Sequence, residues 1–303
     1  MSGDALVAAL REELDDGGLR GSFLVRDLHT GEEIGIDPDV EFPLASLVKV
    51  PLAISTLERV RTGELDGAEQ VLVRPGAPET AGPPGLSRFR HPATVAVEDL
   101  VYLSTSISDG TAADTLFELT PPARVARTLR ELGLRGITVR HPISDLTDTP
   151  AERFEPDQVH LAHTLAIGAR TAGRGHPVPQ LDVSRASSGT ARAMTDLLHA
   201  LWTPSTIHPD VAARVRDLMA HNVLRQRLAP DFTSDSTTWS SKTGTLLNLR
   251  HEAGVVEHAE GGVFAVVALT ESRVAASAQP EAEALMGRVA RALRDRLRLL
   301  RTC

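Results

Sequence analysis

The chain has 303 residues, 42% of them hydrophobic and 3% aromatic, with a formal net charge of −8. That length allows one large domain or two interleaved ones around a sizeable core, while the negative charge and scarce aromatics argue against a nucleic-acid or anionic-membrane partner. The one cysteine, Cys303, excludes an intrachain disulfide, and no run of about 18 apolar residues reads as a membrane span. Residues 1–20 lack the apolar run of a signal peptide, since Val7-Ala8-Ala9-Leu10 is broken by Arg11. The expectation is a cytoplasmic monomer acting on a small molecule. A chain exported and trimmed of its signal would read the same.

From Ala5 to Leu14 apolar residues fall at positions 6, 7, 10 and 14, a helical spacing that Asp15-Asp16-Gly17-Gly18 ends. Ser22 to Asp27 and Glu32 to Ile36 read as a hairpin around His29-Thr30-Gly31. A helix is expected to begin near Ser46 and run to about Arg61, with Pro51 inside it breaking the usual rule. Arg74 to Pro92 is rich in proline and glycine and reads as a loop. Val97 to Leu119 is helical with a break at Ser106-Ile107-Ser108-Asp109-Gly110. Pro122 to Leu132 is a further helix, and Ile137-Thr138-Val139 a short extended piece. Residues 142–182 are the least legible, apart from a helix from about Gln158 to Arg170.

Ser187-Ser188-Gly189 reads as the cap of a helix with Ala191, Met194, Leu197, Leu198 and Leu201 on its apolar side. Val211 to Leu224 repeats that pattern. Three strands close the chain, Thr238 to Thr243, His251 to Glu257 and Val263 to Thr270, the last two joined by the turn Ala259-Glu260-Gly261-Gly262. The final helix, Pro280 to Leu300, sets leucines and Val289 on one face and Arg288, Arg291, Arg294, Arg298 and Arg301 on the other, a solvated face over a sheet. Strands, then many helices, then strands imply that the two ends of the chain share one sheet around a helical insertion.

The chemistry is concentrated in a few residues. Ser46 and Lys49 are three apart on a helix, so the hydroxyl and the amine share a face. A serine hydroxyl needs a base to act as a nucleophile, and a lysine amine serves if burial and neighbouring cations lower its pKa. Of the 32 cationic side chains only two are lysines, Lys49 and Lys242, and every other one is arginine, whose guanidinium cannot give up its proton. Lys242 lies in Ser241-Lys242-Thr243-Gly244-Thr245. Two lysines placed by accident in two such motifs is the less economical reading. His160 and His163 are a helical turn apart, but no third ligand accompanies them, so no metal or other cofactor is expected.

Ser46-x-x-Lys49, Ser108-Asp109-Gly110 and Lys242-Thr243-Gly244 resemble, in order and rough spacing, the motifs of class A β-lactamases and the related penicillin-recognising serine hydrolases. The resemblance covers nearly the whole chain. It implies an α/β (α+β) fold, with an antiparallel sheet domain from residues 1–45 and 201–303, an all-helical domain from 46–200, and the active site between them. It further implies that Ser46 is the nucleophile, Lys49 its proton acceptor, and Ser108 a relay toward the leaving nitrogen. Lys242 would raise the local positive charge, and the N–H groups of Ser46 and Thr245 would form an oxyanion hole whose donors supply about 3 kcal/mol each. Thr243, Gly244 and Thr245 would line the substrate, and Asp109 would be a buried cap.

The chain departs from that pattern in three places. Gly110 stands where the triplet most often has asparagine. His251-Glu252-Ala253-Gly254 occupies the strand where an arginine often binds the substrate carboxylate; Arg250 is the candidate to reach that space, and Glu252 would repel the carboxylate. Arg153-Phe154-Glu155-Pro156-Asp157-Gln158-Val159 resembles the opening of the loop that carries the deacylating glutamate, but Val159 replaces an asparagine and the approach is roughly ten residues longer than usual. Glu155 is therefore either the deacylating base or a surface residue before a helix. The resulting expectation is a serine hydrolase or acyltransferase working on an amide, lactam or ester through an acyl-enzyme on Ser46. The alternatives are a D-alanyl-D-alanine peptidase-like enzyme and a non-catalytic acyl-binding or sensor protein of the same fold.

Overall fold

The computed structural model describes residues 2–74, 84–150, 154–155, 157–158, 160–171, 174–276 and 278–301. In chain order the elements are α1 (Gly3–Asp16), β1 (Leu19–Asp27), β2 (Glu33–Ile36), β3 (Glu41–Pro43), a 3-10 turn (Ala45–Val48), α2 (Lys49–Arg61), β4 (Gln70–Val73) and β5 (Ala93–Ala96). There follow α3 (Val97–Ser106), α4 (Gly110–Leu119), α5 (Pro122–Glu131), β6 (Ile137–Thr138), α6 (Ser144–Thr147), α7 (His160–Ile167), β7 (Ser188–Thr190), α8 (Ala191–Trp202) and α9 (Pro209–Ala220). The chain closes with α10 (Ala229–Phe232), β8 (Thr237–Leu246), β9 (Leu249–His258), β10 (Val263–Ser272) and α11 (Pro280–Arg301).

The N-terminal hairpin and the three C-terminal strands form one antiparallel sheet in the order β2-β1-β10-β9-β8. Side chains alternate between its two faces along each strand. Phe23, Val25, Trp239, Val256, Phe264 and Val266 pack with Met286, Val289 and Leu293 of α11. Leu24, Ala253, Val255, Ala265 and Val267 belong instead to the core shared with the helices. That second core is built around α2, whose residues from Lys49 through Leu57 are all buried. A helix covered on every side needs neighbours all round, and α3, α4, α5 and α9 supply them. β8 is the sheet's last strand, so its free edge borders the helical layer.

Local differences from the sequence reading have simple causes. Ser188 to Thr190 is a strand rather than a cap, pairing with β3 and β6; Thr190 caps α8, its side chain accepting from Ala193 N at 3.0 Å. The partner strands lie far away in sequence, which local pattern cannot reveal. Residues 46–200 also contain strands, the pair β4–β5 and the strands β6 and β7 that extend a small sheet with β3, and are not helical alone. Pro51 breaks no rule, because α2 starts at Lys49 and Pro51 falls in its first turn, where backbone N–H groups have no partner inside the helix. Arg294 does not share the solvated face of α11: it is buried, with its guanidinium 2.9 Å from His258 Nε2 and 5.2 Å from the centre of the Phe232 ring. Among the described residues, no helix is long and apolar enough to cross a membrane.

Candidate active site

The segment before Ser46 is held on three sides. His251 on β9 donates from Nε2 to the carbonyl of Pro43 at 2.8 Å, while its Nδ1 accepts from Thr270 N at 3.0 Å. One donor and one acceptor define a single neutral tautomer, and burial holds this imidazole's pKa down at about 4. Leu44 N donates to the carbonyl of Ser187 at 2.9 Å. Ala45 then adopts a left-handed φ of +47°, which costs a non-glycine residue about 1–2 kcal/mol. The 3-10 turn that follows presents Ser46 half-buried, one turn ahead of Lys49.

This turn packs directly on β8. The contact depends on Gly244, where a Cβ would stand 2.8 Å from the Leu44 carbonyl oxygen and 3.3 Å from Leu47 Cγ. Lys242, two residues earlier, points to the same face. Its amine is fully buried and donates to the Thr243 carbonyl at 2.8 Å, with Ser108 Oγ at 2.9 Å. Ser108 lies in the break between α3 and α4 with φ +62°, a second left-handed non-glycine residue beside a reactive group. Asp109 secures that break. It caps α4 by accepting from Ala112 N at 3.1 Å, and its other oxygen accepts from Leu86 N.

Lys49 completes the group, but its closest partner is not Ser46. Its amine, 1% exposed, donates to the Ser108 carbonyl at 2.6 Å and lies 3.3 Å from Ser108 Oγ. One serine hydroxyl is thus held between two buried amines. Burial pushes the Lys49 amine down to about 8, against the opposing charges of Asp109 and Asp114. Lys242 is pushed well below the usual amine range, first by burial and then by the charges of Lys49 and Arg227. A neutral amine can accept a proton, and a hydroxyl between two amines can pass one on.

The strand register corrects proposed substrate contacts. Lys242 pairs with Ala253 and Thr243 with Glu252, so the side chains of Thr243 and Glu252 both point away from the Ser46 face. Glu252 is fully buried and accepts from Leu228 N at 2.8 Å, Trp239 Nε1 at 3.0 Å and Ser241 Oγ at 2.7 Å. Glu252 therefore holds the sheet to the α9–α10 segment and faces no substrate carboxylate. Arg250 is 3% exposed and donates to the carbonyls of Leu247 and Leu249, so it too is engaged in structure.

The sequence reading missed Arg227. Its Nη1 donates to the carbonyls of Gly244 at 2.9 Å and His251 at 2.7 Å, its Nη2 to Thr245 Oγ1 at 2.6 Å, and its Nε to Glu283 at 2.9 Å. It braces the strand end that carries the Thr245 N–H. One arginine among many in the chain carries no local signal of such a position. Thr245 itself is exposed, whereas the Thr243 hydroxyl is buried without a hydrogen-bond partner. Gly110 opens α4; a Cβ there would meet only Ile143 Cγ2 at 3.6 Å, so a side chain would fit.

Glu155 is exposed, and among the described residues no hydrogen bond or ion pair joins its carboxylate to Ser46, Lys49 or Ser108. Its carbonyl accepts from Gln158 N at 2.8 Å. Arg153, Pro156 and Val159 of the same motif lie outside the described residues.

Replacing Gly244 by alanine should drive the Ser46 turn away from β8, because backbone cannot yield as a side-chain tip does. A loss of about 1–3 kcal/mol in unfolding free energy is expected, together with loss of Ser46 reactivity toward acylating probes. Glu252→Arg should strip three donors of their acceptor and bury a guanidinium near Arg227. Denaturant unfolding should read a loss of about 3–5 kcal/mol. No gain in reactivity toward penicillins should accompany it.

The sequence profile of the "Beta-lactamase enzyme family" matches residues 5–297. Over an alignment of 309 positions the chain is 65% identical to the "Beta-lactamase regulatory protein BlaB" of Streptomyces cacaoi, covering 98% of this chain and 99% of that one. Solved structures share the fold at lower identity. A β-lactamase from Sphaerobacter thermophilus superposes with a TM-score of 0.76 at 21% identity, covering 97% of this chain and 98% of that chain. A point mutant of PBP-A, solved as an acyl-enzyme complex with penicillin G, gives 0.75 at 17% identity, covering 98% and 97%. With these matches added to the fold and the Ser46–Lys49–Ser108–Lys242 cluster, the chain belongs to the β-lactamase enzyme family.

Proposed function

We propose that the protein takes an acyl group from an amide, lactam or ester onto Ser46 and releases it slowly. The observation that carries this reading is the Ser108 hydroxyl, 2.9 Å from the Lys242 amine and 3.3 Å from the Lys49 amine, both amines being buried. Neutral Lys49 accepts the Ser46 proton as Oγ bonds to the acyl carbon, with the Ser46 and Thr245 N–H groups receiving the oxyanion. As the carbon–heteroatom bond breaks, Ser108 gives its proton to the leaving atom and regains one from the amines. Release requires a carboxylate and a positioned water at the acyl carbon. The exposure of Glu155 supports a slow second half-reaction. The absence of an amide at Gly110 supports weak use of common penicillins.

A second reading, a regulator in which acylation is the signal, is favoured by the 65% identical relative named as a β-lactamase regulatory protein. The two readings share acylation of Ser46 and differ only in turnover.

Intact mass and peptide mapping after exposure to penicillins, cephalosporins and activated esters should find Ser46 as the one labelled residue. The Lys49 amine has a depressed pKa of about 8 and is neutral above it, so the acylation rate should rise with pH between about 7 and 9 and then level off. Lys49→Arg should lower that rate by about a hundredfold or more with the fold retained, because a guanidinium stays charged. Labelling elsewhere, or of nothing across the panel, sinks the mechanism.

Turnover should show a burst of one acyl group per Ser46 followed by a low steady rate. Glu155→Gln should change the steady rate by less than about tenfold. A larger drop with accumulating acyl-enzyme would make Glu155 the deacylating base.

A further inference from the structure

The turn from His141 to Ser144, where α6 begins, is tied to both halves of the site. On the Ser46 side, His141 Nε2 accepts from Ser187 N at 2.9 Å, and the Ser187 carbonyl in turn accepts from Leu44 N at 2.9 Å, just before Ala45 and Ser46. On the Ser108 side, Asp114 of α4 accepts through Oδ1 from Ile143 N at 2.6 Å and from Ser144 N at 3.2 Å. Between these tethers the side chain that the turn buries is Ile143, 7% exposed. It lies over Gly110, the residue that opens α4 and follows Ser108-Asp109: a Cβ at Gly110 would stand 3.6 Å from Ile143 Cγ2.

Three elements bring proton-carrying groups together: α2 with Lys49, β8 with Lys242, and the break between α3 and α4 with Ser108. The turn, tied to the same framework, brings a hydrocarbon. We propose that Ile143 is a wall residue that denies an activated water a place beside the acyl-enzyme, and so sets the slow release of the acyl group. The proposal rests on the reading that Ser46 carries that group. Release adds a water oxygen to the acyl carbon and hands one water proton to a base. The bond from the carbon to Ser46 Oγ then breaks, and Oγ takes a proton back. A water is aligned for such an attack only where polar groups hold it. In this turn those groups are already engaged: the N–H groups of Ile143 and Ser144 with Asp114, and the two ring nitrogens of His141 with Ser187 N and the Pro142 carbonyl. What faces Gly110 is a methyl group, which neither holds a water nor takes its proton.

The experiment acylates the whole chain with benzylpenicillin and, in parallel, with p-nitrophenyl acetate. Free ligand is then removed, and loss of the adduct is followed by intact mass; the acylation rate is measured separately. Ile143→Glu sets a carboxylate in the apolar wall, so release should quicken by about tenfold or more while the acylation rate stays within about threefold. Ile143→Leu restores a hydrocarbon and should release at the wild-type rate. Loosened packing alone would lower both rates, so the split between the two half-reactions is the readout. If Ile143→Glu does not fold, Ile143→Ser, which shortens the wall and adds a hydroxyl, is judged by the same split. Folded variants that release at the wild-type rate, or that lose both rates together, overturn the proposal and leave Ile143 a packing residue. If neither probe labels Ser46 in the wild-type chain, the proposed function fails and this inference falls with it.

Discussion

Burying two lysine amines against a single serine hydroxyl is costly, because each ammonium loses its hydration and repels the other. A chain gains nothing in stability from such a pair that a hydrophobic contact would not supply more cheaply. What the arrangement provides is a pair of amines whose hold on their protons burial weakens, that of Lys49 down to about 8. The surrounding structure serves to hold that unfavourable group together. α2 is buried all round and carries Lys49 inward, β8 carries Lys242 from the sheet, and the break between α3 and α4 brings Ser108 between them.

The backbone shows the same cost. Ala45 and Ser108 both take left-handed conformations although neither is glycine, and each adjoins or carries a group in the site. Their neighbours over-determine them. His251, Ser187 and Gly244 fix the approach to Ser46, and Asp109 with its two backbone donors fixes Ser108. Behind the strand, Arg227 and Glu252 satisfy backbone and side-chain groups on the far face of β8 and β9. Charge is thus used twice, reactive on one face of the sheet and bracing on the other.

The balance between acylation and release turns on which carboxylates reach the amines. Asp109 and Asp114 act on Lys49, and Glu155 is exposed. Asp109 is spent on a helix cap and Asp114 on the Ile143–Ser144 turn, so neither is free to align a water as its first task. On the proposed reading, a site that acylates readily and releases slowly suits a protein whose adduct outlasts the encounter with its ligand. That property is shared by an inefficient hydrolase and a sensor.

The sequence by itself determined the elements and the reactive residue types. Periodicity placed the N-terminal hairpin, the helices around 97–131 and the three closing strands. The restriction of lysine to two positions marked Lys49 and Lys242, because an amine can lose a proton and a guanidinium cannot. Tertiary structure alone decided which groups meet. Glu252 and Arg250 left the site because strand register, set by pairing across β8 and β9, turns alternate side chains to opposite faces. Arg227 and Asp114 entered the account because their partners, at Gly244, His251, Ile143 and Ser144, lie on other elements brought close only by folding. The Lys49 amine chose Ser108 over the nearer-in-sequence Ser46 for the same reason: contact depends on where the backbone returns, and local spacing carries no record of that.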